Sequence, residues 1–146
     1  MILKKSSIFT LFLIILNLNL VSQNRYLKKN TETYYLDNCE NNNLKIENDS
    51  ITVYFESGFS EQTEVYINNK LTFKEKLEQY KSTGSTNRIL ICKFIKYGKY
   101  PSLKVNLLKS RYSLIIVLNQ NYRFLFISNL ENKWSLIYRN MPIIRE

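Results

Sequence analysis

The side chains best suited to bind a ligand in this chain are basic and aromatic, and they cluster between residues 93 and 104. The candidate binding residues are Lys93, Lys96, Tyr97, Lys99, Tyr100 and Lys104. Ammonium groups attract phosphates and uronates, while tyrosine rings offer flat faces on which sugars or bases stack. This spacing predicts a surface for an anionic ligand. The alternative is a turn between two strands whose aromatic side chains pack on each other.

The composition argues against an enzyme, because the 146 residues include no histidine. That absence excludes a Ser-His-Asp triad, a histidine general base and histidine metal ligands. A carboxylate pair of the glycosidase type needs two acids that converge in a cleft. The acids near the predicted strands are spaced like solvent-facing residues: Glu56, Glu61, Glu64, Glu75 and Glu78. We therefore expect a non-catalytic protein and rank a carboxylate hydrolase last among the hypotheses.

Metal and thiol chemistry have little support in the sequence. Four further acids lie among asparagines: Asp37, Glu40, Glu47 and Asp49. They lack the Asp-x-Asp-x-Asp-Gly spacing of a calcium-binding loop, so a solvated loop is the better interpretation. Lys93 adjoins Cys92 but would point to the opposite face of a strand, where it would not activate the thiol. The sequence predicts no metal site and no cofactor.

Residues 1–22 have the layout of a cleaved secretory signal peptide. Lys4 and Lys5 supply the basic region, residues 8–16 the apolar run, and Ser22 a small residue at the cleavage point. An uncleaved membrane anchor would need about 17 to 25 apolar residues, and this run is shorter. We therefore expect a secreted or periplasmic product with no stable transmembrane segment after cleavage.

Two cysteines follow the signal segment, Cys39 and Cys92. Disulfides form outside the cytoplasm, so a single bridge between them is the simplest expectation. The alternative is two unpaired thiols, with Cys92 buried in a strand and Cys39 exposed.

Charge is distributed unevenly along the chain, whose formal net charge is +9. Residues 37–78 contain nine acids and four bases, whereas residues 79–130 contain nine bases and no acid. Such asymmetry favours an anionic partner, either an anionic polymer or an acidic protein. The competing interpretation is that these lysines face solvent on strands and turns, where they discourage pairing between sheet edges.

Two segments of different character follow the signal. Residues 23–50 are polar and lack a sustained period, which predicts an irregular arm with short strands at 34–36 and 44–46. Residues 51–146 contain β-branched and aromatic runs separated by Asn, Ser and Gly, the pattern of short strands. The predicted strands are 51–56, 64–68, 71–77, 88–96, 103–108, 111–118, 122–128 and 133–139.

Three turns predict strand register. A three-residue loop at 68–70 would place Ile67 opposite Leu71 and Val65 opposite Phe73. A loop at 119–121 would form a hairpin, the strongest such signal in the sequence, in which Leu118 faces Tyr122, Ile116 faces Phe124 and Leu114 faces Phe126. A third turn at 131–133 would return Trp134, Leu136 and Tyr138 alongside Ser128 and Phe126.

These strands predict an all-β fold, a small antiparallel β-sandwich of immunoglobulin-like size with seven or eight strands. The alternative is a partly open β-barrel. For function, the leading hypothesis is an exported binding or accessory domain at the cell envelope or outside the cell. The alternative is a protein-interaction module, such as an inhibitor or immunity protein of an exported enzyme.

Overall fold

The structure, a computed structural model, describes residues 26–36, 47–98, 100–131 and 133–141. These residues form ten strands and one helical turn, α1 (Phe94–Tyr97). The strands are β1 (Leu27–Lys28), β2 (Asn30–Tyr35), β3 (Ser50–Phe55), β4 (Gln62–Ile67), β5 (Lys70–Lys76), β6 (Ile89–Lys93), β7 (Ser102–Leu107), β8 (Tyr112–Val117), β9 (Phe124–Asn129) and β10 (Lys133–Arg139). The predicted run 88–96 is divided between β6 and α1.

The strands form two separate five-stranded sheets, so the fold is a small β-sandwich. The first sheet has the order β1-β8-β7-β4-β5 and the second has the order β2-β10-β9-β3-β6. The predicted fold class is therefore confirmed, and the alternative of a partly open barrel does not hold because the sheets do not join into one. Among the described residues, no helix has the length and apolar character needed to cross a bilayer.

The core lies between the two sheets and is built by strict alternation along the strands. In β3, Ile51, Val53 and Phe55 are fully buried while Thr52 and Tyr54 point outward. Successive side chains of a strand point to opposite faces, so each strand gives one row to the core. The largest fully buried side chain is Trp134, which packs against Phe59 with ring centroids 6.0 Å apart.

Five of the eight strand pairs are antiparallel, and three are parallel: β1 with β8, β2 with β10, and β3 with β9. The parallel pairs form where the chain leaves one sheet and returns to it later. Both β1 and β2 belong to the predicted polar arm, and each adds an edge strand to one sheet. The strand expected near residues 34–36 is therefore present as β2.

The predicted hairpin around residues 119–121 is wrong. Strand β8 pairs with β7 and β1 in the first sheet, whereas β9 pairs with β10 and β3 in the second. The connection crosses the sandwich, and its Leu118 and Tyr122 are buried between the layers. As a result Leu125 and Ile127 face the core, while Phe124 and Phe126 lie on the outer face of the second sheet.

The β4–β5 turn is one residue shorter than predicted. Asn68 and Asn69 have φ angles of 48° and 63° and form a two-residue loop, as in the type I′ turns that favour asparagine. Ile67 therefore pairs with Lys70, and the predicted Ile67–Leu71 pair is wrong. An irregularity after Val65 restores the predicted Val65–Phe73 pair. Leu71 is left on the outer face, where it is 49% exposed.

The third predicted turn forms the β9–β10 hairpin, with its register shifted by one residue. The Leu130 N–H donates to the carbonyl of Lys133, Leu136 pairs with Ile127, and Tyr138 pairs with Leu125. The shift aligns the core-facing residues of the two strands and leaves Phe126 opposite Ile137 on the outer face.

Several predictions fall on parts of the chain outside the described residues. They are the signal peptide at 1–22, the short strand at 44–46, and the residues Asp37, Cys39, Glu40 and Lys99. Cys92 is described: it lies in β6, fully buried, as a free thiol. Burial raises the pKa of this thiol to about 11.

Candidate binding surface

The predicted binding residues lie on and around the connection between β6 and β7, which we call the crossover (residues 93–101). It leads from the edge of the second sheet to an inner strand of the first. Phe94 anchors it, because its ring is buried in the core and its N–H donates to the carbonyl of Asp49. Gly98 closes the turn: its φ is 89° and its N–H donates to the carbonyl of Phe94.

The second half of the crossover is tied to the β4–β5 turn through Asn68. The Asn68 Nδ2 donates to the carbonyl of Tyr97 at 2.8 Å, and its Oδ1 accepts from the N–H of Ser102 at 2.9 Å. Tyr97 itself is half-buried and packs against the core. Part of the predicted aromatic surface therefore also holds the connection in place.

The two described lysines of the crossover, Lys93 and Lys96, are candidates for attracting an anion. The Lys96 Nζ lies 5.1 Å from the centroid of the Tyr97 ring, within cation–π range. Both Lys93 and Lys96 are exposed, and neither forms an ion pair within the described part of the chain. Tyr100 follows with 69% of its surface exposed.

Lys104 lies apart from the other predicted residues, on the outer face of the first sheet. It pairs across the strands with Tyr66 on one side and Ile115 on the other, and its Nζ is 5.6 Å from the centroid of the Tyr66 ring. Lys93, in contrast, belongs to the outer face of the second sheet, opposite Ser50. The structure thus brings Lys96 and Tyr97 together and spreads Lys93 and Lys104 over two faces.

A polar cluster beside Lys104 was not singled out from the sequence. The Glu64 carboxylate pairs with Lys74 at 2.9 Å and accepts from the Tyr66 hydroxyl at 2.8 Å. The hydrogen bond from Lys74 is the main cause that lowers the pKa of Glu64, and the bond to Glu64 raises the pKa of Tyr66. The sequence contains a signal for this contact, because Glu64 and Tyr66 are two residues apart in one strand and therefore share a face.

The acids considered for catalysis are each engaged elsewhere. Glu78 pairs with Lys76 at 2.8 Å, and Arg88 lies 3.2 Å from Glu75. Glu61 accepts from the backbone N–H groups of Lys109 and Ser110 at 2.6 and 2.9 Å, which fixes the β7–β8 turn. These contacts occupy the carboxylates with charge pairing and turn formation.

Of the four acids considered for calcium binding, Glu47 and Asp49 belong to the described residues, whereas Asp37 and Glu40 lie outside them. Glu47 and Asp49 line an open cleft of about 340 Å³ together with Phe94, Ile95 and Gln120. Across the described ranges, no group of three or more Cys, Asp or Glu side chains is arranged to hold a metal ion.

The outer face of the second sheet carries an aromatic row that the sequence did not reveal. Tyr54 stacks on Phe126 with centroids 4.9 Å apart and an interplanar angle of 11°. Phe126 is only 4% exposed although it lies outside the core. Across β6 the row continues to Ile89, which pairs with Tyr54. The sequence contains a signal for this row, because both faces of β9 are apolar. The predicted hairpin of β8 with β9 does not use that signal.

Comparisons of this chain with protein-family models, with curated proteins and with solved structures each gave no match.

Proposed function

We propose that this protein is an exported, non-catalytic binding domain that engages an anionic partner through the crossover and the lysines beside it. The observation that carries this proposal is that Lys93, Lys96 and Lys104 have no ion-pair partner among the described residues, whereas four described acids, Glu32, Glu64, Glu75 and Glu78, are each paired with another base. Unpaired exposed ammonium groups retain their attraction for phosphate, uronate or carboxylate groups.

The aromatic side chains of the crossover support a stacking contribution. Tyr97 lies beneath the Lys96 ammonium, and Tyr100 is exposed at the start of the turn into β7. A ring next to a cation suits a ligand with both a flat face and a negative charge, such as an acidic sugar or a nucleotide. The expected partner is therefore an anionic polymer or an acidic protein.

Export is part of the proposal and rests on the layout of residues 1–22. Amino-terminal sequencing of the product recovered outside the cytoplasm tests it: the proposal expects a chain that begins near Gln23. A bridge between Cys39 and Cys92 is likewise proposed for the exported product from compartment and cysteine number, and the free thiol of Cys92 in the structure then corresponds to the reduced protein. Recovery of the intact amino terminus in the cytoplasm would contradict export.

The charge-reversal variant Lys93→Glu/Lys96→Glu/Lys104→Glu tests the binding surface. Retention on a column carrying an acidic polysaccharide at low salt should fall sharply, because three attractive charges become repulsive. The matched control is Lys28→Glu/Lys81→Glu/Lys109→Glu, which makes the same change in net charge at exposed lysines that also have no ion pair among the described residues. Equal retention of the two triple variants would show that only net charge matters and would contradict a localised surface.

A second candidate function, a protein-interaction module, is favoured by a different observation. Ile89 and Ile91 of β6 are 51% and 60% exposed, and β6 is the last strand of its sheet among the described residues. Salt distinguishes the two functions, because polyanion binding weakens steeply with salt while an apolar interface with backbone hydrogen bonds weakens less.

A further inference from the structure

The four edge strands of the sandwich differ in how well they are protected against pairing with another chain. Strand β1 has only two residues, β5 (KLTFKEK) carries three lysines and a glutamate, and β2 (NTETYY) is polar. Short length, charge and polarity are the usual means of blocking an edge. Strand β6 (ILICK) has none of these over its first four residues. It is the unprotected edge among the described strands.

The hydrogen bonding of β3 shows which backbone groups of β6 are unpaired. The N–H of Phe94 donates to the carbonyl of Asp49, and in an antiparallel ladder the bonded pairs alternate. Cys92 and Leu90 are therefore bonded to β3. The N–H of Thr52, opposite Ile91, instead donates to the carbonyl of Arg123 beside β9. The N–H and C=O groups of Ile89 and Ile91, and the N–H of Lys93, consequently point away from the sheet; the Lys93 C=O accepts the first hydrogen bond of α1, of which Lys93 is the N-cap.

The side chains of these same three residues define what can lie beside the edge. Ile89, Ile91 and Lys93 share the outer face of the second sheet, next to Tyr54, Thr52 and Ser50 respectively. A strand added at this edge would therefore meet two apolar side chains and one unpaired ammonium group on that face. Such an addition is stabilised when an apolar side chain lies opposite another apolar side chain and when a charged side chain lies opposite one of the opposite sign.

We propose that the free edge of β6 accepts an extended segment of an acidic protein partner, which adds as a sixth strand to the second sheet. The segment places apolar side chains beside Ile89 and Ile91 and a carboxylate beside Lys93, and its backbone pairs with the outward-facing groups of these residues. This strand addition rests on the proposed role as a binding domain, but it uses the sheet edge and not the stacking surface of the crossover.

The partner is a polypeptide because backbone donors and acceptors that alternate every second residue are matched by another extended backbone. It is acidic because Lys93 has no ion-pair partner among the described residues and β3, β6, β9 and β10 contain no acid. A second copy of this chain is a poorer fit, since each copy has a formal net charge of +9 and offers only lysine at this edge.

The test uses a capped peptide, Glu-Thr-Val-Thr-Val-Thr-Val-Thr-Glu, and amide hydrogen exchange of the whole mature protein. In the free protein we expect fast exchange at Ile89, Ile91 and Lys93 and slow exchange at Leu90 and Cys92. Peptide at about millimolar concentration should slow the first three and leave the other two unchanged. A peptide with lysine in place of both glutamates should bind about tenfold more weakly.

Modified peptides and protein variants distinguish strand addition from non-specific hydrophobic binding. A peptide N-methylated at its valines lacks the required donors and should protect none of the three amides. Ile91→Asp should weaken binding about tenfold, whereas Ile115→Asp should not, although Ile115 is 59% exposed and Ile91 60%. Ile91→Pro should also block addition, and because that N–H has no partner among the described residues, the variant should still fold.

Three results would overturn strand addition. They are slow exchange at Ile91 in the free protein at all concentrations, slow exchange that appears only as protein concentration rises, and unchanged exchange at millimolar peptide. The first result would mean that another part of the same chain already pairs with the edge of β6. The second would mean that a second copy of the chain pairs with it. The acidic-polysaccharide column remains the separate test of the crossover: Ile91→Pro, which blocks strand addition without changing the charge near Lys93, should leave retention there unchanged, so each surface can fail without the other.

Discussion

At the residue scale, single positions fix how the two layers meet. Gly58 follows β3 with a φ of 83°, and its carbonyl accepts from the Asn129 Nδ2 at 2.9 Å. A Cβ built on Gly58 would lie 1.7 Å from the carbonyl oxygen of Asn129. The backbone at the end of β3 approaches the end of β9 so closely that only glycine fits.

This close approach leads to a stability prediction. Gly58→Ala should lower the free energy of unfolding by about 2 to 5 kcal/mol, because it adds a backbone clash to an unfavourable φ. The control is Gly84→Ala: its φ is also positive, at 69°, but the nearest heavy atom to its Cβ would be 4.0 Å away. That variant should lose about 1 to 2 kcal/mol. Equal losses in urea unfolding would contradict the close approach.

At the element scale, β9 shows how a strand with two apolar faces is oriented by its neighbours. The sequence alone favoured a hairpin in which Phe124 and Phe126 pair with residues of β8. In the structure Leu125 and Ile127 are fully buried, and the two phenylalanines contact Tyr54 on the outer face. The layer that β9 joins, and so the row it buries, is set by its pairing with β10 and β3.

The orientation of β9 predicts an order of mutational effects. Leu125→Ala should cost about 2 to 5 kcal/mol of unfolding free energy, because it leaves a cavity in the core. Phe124→Ala removes a half-buried ring and should cost about 1 kcal/mol, despite the larger deletion. Chemical denaturation of the two variants measures this difference. A larger loss for Phe124→Ala would restore the hairpin of β8 with β9 that the sequence favoured.

At the scale of the whole molecule, the space between the sheets encloses ionisable groups that are neutral at pH 7. Burial raises the pKa of Tyr138 and, to about 11, that of Cys92. A raised pKa of an acidic group means that the unfolded chain ionises first. The contribution of such a group to the free energy of unfolding is therefore complete at pH values below its pKa in the unfolded chain. It is lost as the pH rises through its pKa in the folded protein.

Stability under reducing conditions should consequently fall between about pH 9 and pH 11, with Cys92 contributing on the order of 2 kcal/mol. The variant Cys92→Ala removes that part of the pH dependence, so its unfolding free energy should fall less steeply over this range, whatever its absolute stability. Without reductant, the proposed bridge to Cys39 would leave no thiol to titrate. An equally steep fall for both proteins under reducing conditions would contradict an ionisable buried thiol at this position.

Much of the fold was predictable from the sequence, because strand formation depends on local alternation of apolar and polar side chains. The runs that became β3, β7 and β10 were placed within two residues. The candidate site was less predictable. Its lysines and tyrosines are adjacent in sequence, but Lys93 and Lys104 end on different faces because the crossover between them changes sheets.

The sequence by itself determined an all-β chain, the absence of histidine chemistry and the unbalanced charge, since these follow from residue types and short-range periodicity. Tertiary structure decided which strands pair, which face of β9 is buried, and that β6 is the last of the described strands in its sheet. Those outcomes depend on contacts between residues far apart in the chain, and on the crossing of the connections between two layers. A two-residue period of apolar side chains identifies a strand, but it does not determine which other strands pair with it.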